Sequence, residues 1–171
     1  AVDDALRSVD RVNVILAGKH TVDSHPMDTL TTEQTEGLAV WPHLSGPGDP
    51  DLTLVCAGDL PATLTRDAAP VIAARHRCAI RVVNVHELTT LATDRAWRLL
   101  GHNSPVLITT LGHPAAVWGL LGARADRPVE VIGWREPPHP MSQGDLAAHA
   151  GLDILGITTA AARLLSRRGT S

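Results

Sequence analysis

The chain has 171 residues, of which 44% are hydrophobic and 19% charged, and its formal net charge is -3. That length suits a single domain, able to bury ~68–70% of the surface its unfolded chain would expose without disulfide or metal staples. The mild negative charge and an aromatic content of 2% exclude a basic, base-stacking nucleic-acid binder.

In chain order, residues 1–10 read as a short helix that feeds an apolar run, 12–17, ending at Gly18-Lys19. Bounded by charge on both sides, the run is expected to be a strand buried on both faces, with Lys19 just beyond its carboxyl end. A polar loop through His20, Asp23 and His25 leads to an expected helix at 28–36, stopped by Gly37, and a short strand at 38–41. After a Pro- and Gly-rich loop, residues 52–57 read as a strand and 61–77 as a helix. Pro70 inside that helix should kink or divide it. Strands follow at 79–85, 105–109 and 129–133, with helices at 94–100, 114–124, 143–150 and 153–167. Alternation of this kind predicts a three-layer α/β/α sandwich on a mostly parallel sheet.

No Phe or Tyr is present, so the core must be built from Leu, Val, Ile and Ala, with four Trp as its only large rings. Cys56 and Cys78, in apolar settings and without CxxC spacing, read as reduced core residues. No apolar run approaches the ~18 residues of a membrane span, and no signal-peptide pattern stands at the start, so the expected compartment is the cytoplasm. The chain opens in what reads as the middle of a helix, an expectation that it is a fragment of something longer.

Lys19 is the only lysine, against fourteen arginines. At the carboxyl edge of an open α/β sheet, where ligands bind, a slender ammonium suits a phosphate. Gly18-Lys19 is no P-loop, because Asn13 stands where the first glycine should and His20 where Ser or Thr should. Gly58-Asp59 with Asn84 mimics the spacing of a magnesium–diphosphate clamp, but Leu60 replaces the second glycine, and Asp59 is expected to cap the helix from Pro61. His20, Asp23 and His25 make a weak metal candidate in one loop. His113 before Pro114 reads as a ligand contact or as a helix cap, the cap being favoured. No GxSxG nucleophile elbow is present.

Several segments carry a family resemblance. Val12 to His20 resembles the VNVIVAGK(Q/H)P segment of the carboxyl-terminal domain of phosphoketolases, thiamine-diphosphate enzymes that split xylulose 5-phosphate or fructose 6-phosphate. In the same order, Cys56 to Pro61 is similar to CCGDTPT, Ile80 to Val85 to VRVVNV, Ser104 to Ile108 to KPVIF, and Val131 to Glu136 to VRGYKEE. The resemblance implies a transketolase-like carboxyl-terminal domain with a five- or six-stranded sheet and one antiparallel edge strand. It implies that Lys19, with Gly18 and His20 beside it, contacts the substrate phosphate. It implies also that no catalytic residue, cofactor or metal belongs to residues 1–171; thiamine diphosphate and Mg2+ would be held by other domains of the parent. The implied partners are those domains, a sugar phosphate, and further copies in a homodimer or larger homo-oligomer, with neither nucleic acid nor membrane. Thr21 replaces the family's proline, no tryptophan precedes Trp41, and residues 137–146 replace the family's TTTPFDM segment. The alternative function is a stand-alone, non-catalytic regulatory or interaction domain that binds a phosphorylated metabolite or a protein.

Overall fold

A computed structural model of the chain describes residues 2–10, 12–15, 37–124 and 126–168. Among the described residues, five strands form one sheet: β1 (Leu38–Val40), β2 (Leu52–Ala57), β3 (Ile80–Val85), β4 (Val106–Thr110) and β5 (Val129–Ile132), in the order β1-β3-β2-β4-β5. β1 runs antiparallel to β3, with Leu38 opposite Val85, and the other neighbours are parallel. The sheet is thus mostly parallel with an antiparallel edge, as the resemblance implied.

The described residues also form six α-helices: α1 (Val2–Arg7), α2 (Asp59–His76), α3 (Asp94–Leu99), α4 (Pro114–Leu121), α5 (Gln143–Ala150) and α6 (Ile154–Arg168). The period-2 alternation of the strands sorts their side chains between two cores. Leu52, Leu54, Cys56, Ile80, Val82 and Leu107 point to the face covered by α2, α5 and α6. Val55, Val83, Val85, Val106 and Ile108 point to the face covered by α3, α4 and a 3-10 turn at Leu88–Ala92. Both faces are covered, which is why these strands read as apolar runs without a polar side. Of the four tryptophans, Trp41 and Trp97 are buried in these cores, whereas Trp118 and Trp134 are 42% and 41% exposed.

Three local expectations are corrected. Residues 12–15 form no strand, and Val12 and Val14 are 94% and 81% exposed, so this part of the run is not buried on both faces. Apolarity signals that a segment needs a cover without saying which surface provides it; here Ile15 alone is about half covered. Residues 16–17, and the expected helix at 28–36, lie outside the described residues. Second, Pro70 does not divide α2, which is one helix with Pro70 on the solvent side, where water can take the place of the N–H that proline lacks. Third, α2 begins at Asp59, not Pro61. Its cap is Gly58, and Asp59 sits in the first turn, where its Oδ1 accepts the Leu60 N–H at 2.7 Å. Among the described residues, no helix is long and apolar enough to cross a membrane.

Candidate functional site

β2 leads through α2 to β3 on one side, and the chain then returns past β2 to β4 and continues to β5. The winding therefore reverses between β2 and β4, and the crevice beyond their carboxyl ends is where such sheets bind ligands. Two turns border it, Gly58-Asp59 after β2 and Leu111-Gly112-His113 after β4. They touch: a Cβ on Gly58, whose φ is 111°, would lie 3.3 Å from Leu111 Cδ1. The positive φ favours glycine there, and Leu111 would have to shift by a few tenths of an ångström for any side chain.

The turn after β4 is held by three ties. The Gly112 N–H donates to Thr110 Oγ1 at 3.0 Å, the Trp134 N–H donates to the Gly112 carbonyl at 2.9 Å, and the Ala115 N–H donates to His113 Nδ1 at 3.1 Å. His113 is thus the cap of α4, as favoured from the sequence. The segment after β5 lies directly on this turn, and a Cβ on Gly133 would fall 2.5 Å from the Gly112 carbonyl oxygen and 2.9 Å from Thr110 Cγ2. On the far side of the edge, the His86 and Glu87 N–H groups both donate to the Gly37 carbonyl, at 3.0 and 3.1 Å. Burial holds the His86 imidazole below its ordinary pKa, with Glu87 opposing. Gly37, Gly112 and Gly133 shape this edge, and the sequence reading gave none of them that role. Their signal was the placement of a glycine directly before or shortly after a strand.

Chemically, this edge offers backbone groups and apolar side chains together with Asp59, His86, Glu87 and His113, of which Asp59 and His113 are engaged at helix starts. The clamp suggested by Asp59 and Asn84 is not built: Asp59 serves α2, and Asn84 Oδ1 is positioned to accept from the Cys56 thiol at 3.7 Å. These residues do not fit a metal–diphosphate group. Among the described residues, no group of three or more His, Cys, Asp or Glu could hold a metal ion. Gly18, Lys19 and His20, with the Asp23 and His25 of the metal candidate, lie outside the described residues. With 12–15 not a strand, Lys19's assignment rests on the resemblance and no longer on a strand end.

Cys56 is no nucleophile. It is fully buried, and burial pushes its thiol from an ordinary 9.0 up to about 12. Above pH 9 the unfolded chain gives up this proton while the folded chain keeps it, so folding weakens by about 1.4 kcal/mol per pH unit as pH rises toward 12. Below pH 9 the contribution is unaffected. Urea titrations of the wild type and Cys56→Ala across this range should diverge with that slope, and parallel curves would contradict it.

The opposite end of the sheet carries a depression of about 510 Å³ lined by Asp51, His76, Arg77, Cys78, Ala162, Leu165 and Ser166. Its carboxylate is committed, because Asp51 Oδ2 accepts the Ala79 N–H at 2.8 Å. It also lies at the strands' amino ends, away from the switch point.

Residues 21–167 match the XFP C-terminal domain family, the match beginning just past Lys19. A protein described as a probable phosphoketolase from Mycobacterium avium (strain 104) is 30% identical over 96% of this chain and 24% of its own length. Another so described, from Nitrosomonas europaea, is 33% identical over 78% of this chain and 19% of its own length. The chain thus spans about a quarter or less of these curated relatives. Among solved structures, transketolase from Leishmania mexicana superimposes with a TM-score of 0.57 over 77% of this chain and 18% of that one, at 16% identity. That likeness shows a shared fold. With the family match spanning most of its length and the five-stranded mixed sheet beneath it, the chain belongs to the phosphoketolase (XFP) carboxyl-terminal domain family.

Proposed function

We propose that the chain works as the carboxyl-terminal domain of a longer, thiamine-diphosphate-dependent phosphoketolase-type protein. The parent reaction is phosphorolytic cleavage of a ketose phosphate to acetyl phosphate and an aldose phosphate. The observation that carries this reading is coverage: one relative aligns with 96% of this chain and uses only 24% of its own length to do so.

In this reading the domain contributes a phosphate contact through Lys19, beside Gly18 and His20, and packs against the cofactor-binding domains and further copies in a cytoplasmic homo-oligomer. Thiamine diphosphate and Mg2+ are held by those other domains. The test is an acetyl-phosphate assay with xylulose 5-phosphate or fructose 6-phosphate, phosphate, thiamine diphosphate and Mg2+. The 171-residue chain alone should give no turnover, and the product of the full reading frame should give acetyl phosphate. Cleavage by the isolated chain would overturn the division of labour. An inactive long product would favour a non-catalytic, metabolite-binding role.

A further inference from the structure

Among the described residues, helix α4 differs from the other helices of eight residues or more. Its sequence, Pro114 to Leu121, holds no charged or hydroxyl side chain. Val117 and Leu121 are fully buried against the sheet, as an inward face should be. The outward face is Ala115, Ala116, Trp118 and Gly119, all exposed, with the 45% exposed Leu111 just before the helix. A Cβ added to Gly119 would meet nothing within 4 Å, so that side is open. α6 also exposes Ile154 and Leu155 at its start, but the rest of its exposed positions, Thr159, Arg163, Ser166 and Arg167, are polar. A helix that is apolar all round is normally a buried one. Small residues on its outer face also let another backbone approach closely.

We infer that the outward face of α4, with Leu111 and the exposed Trp134 whose N–H is tied to Gly112, is the surface on which the preceding part of a phosphoketolase-length polypeptide seats. The inference rests on the reading above and adds to it the place of contact. Size chooses between this occupant and a second copy of the chain. α4 has eight residues, a length of about 12 Å. Two such helices crossing bury far less than the ~800 Å² per partner of a standard interface. A segment on the same polypeptide needs no such area, because the linkage itself holds it at roughly millimolar effective concentration.

Hydroxyl-radical footprinting read by mass spectrometry tests this, with Trp97 as the internal standard. Trp118 is 42% exposed and Trp97 7%. In the 171-residue chain Trp118 should oxidise readily at every protein concentration. In the full reading-frame product its rate should fall toward that of Trp97, a drop of about sixfold from the ratio of those exposures. Trp118→Glu should lower the melting of the long product by more than that of the 171-residue chain, where the ring is already 42% exposed. Equal oxidation of Trp118 in both proteins would overturn the inference and leave the phosphoketolase reading standing. Protection already present in the 171-residue chain would overturn it in favour of a second copy or an internal cover. A reading frame that encodes only this domain would overturn both, and is seen from the gene itself.

Discussion

Lys19→Ala in the full-length protein is expected to raise the KM for the ketose phosphate about tenfold to a hundredfold. A hydrogen bond to a charged group is worth about 1.5–3 kcal/mol, and each 1.4 kcal/mol is a factor of ten. If the ammonium holds the phosphate equally in ground and transition states, kcat stays near wild type and the loss appears in KM. Lys19→Met keeps the stem's packing and removes the charge, so it should behave like alanine, whereas Lys19→Arg should restore part of the affinity without a single-point contact of the same shape. An unchanged KM in Lys19→Ala would sink the phosphate assignment. The same outcome would leave the family membership intact, because the family match begins only at residue 21.

The second large effect is on stability. Gly133→Ala places a methyl group 2.5 Å from the Gly112 carbonyl oxygen, 2.9 Å from Thr110 Cγ2 and 3.2 Å from Pro114 Cδ. The nearest obstacle is backbone, at the turn that opens α4, so no flexible side chain can swing aside. Overpacking of this kind costs about 1–3 kcal/mol. For a domain of this size that lowers the melting temperature by roughly 2–12 °C. Gly119→Ala is the control: its methyl meets nothing within 4 Å, and the substitution should stabilise the helix by about 0.5–1 kcal/mol. Differential scanning calorimetry of both variants should move in opposite directions. A Gly133→Ala midpoint at or above wild type would mean that the turn after β4 yields more easily than its three hydrogen bonds suggest.

The strands most readable in the sequence were those whose neighbours are now visible. Residues 52–57, 79–85 and 105–109 are apolar runs that include β-branched residues, and each became a strand within a residue of its expected place. Their order was not readable, because periodicity reports that a strand is covered on both faces without naming its partners. The antiparallel edge was available only through the resemblance. The described part of the run at 12–17 failed for a related reason: Val12, Val14 and Ile15 carry the same apolar signal as β2, yet they form no strand and stand 94%, 81% and 52% exposed. Trp118 and Trp134 are a milder case, since ring size suggested core and their strand-end and helix positions turned them outward. At the site, His113's role as a cap was legible from the Pro that follows it. The close approach of Gly133 to Gly112 was not, because it joins turns that follow different strands.

The two cysteines are both free, Cys56 deep in β2 and Cys78 partly exposed where α2 gives way to β3. A thiol reagent added to the folded protein can therefore reach Cys78 directly, but it can reach Cys56 only after β2 has left its place between β3 and β4. The unaltered chain thus carries its own clock and its own reference: the modification rate at Cys56, set against that at Cys78, counts how often the centre of the sheet opens. Any part of a longer protein that stabilises this domain should slow the first rate, even where it leaves the second unchanged.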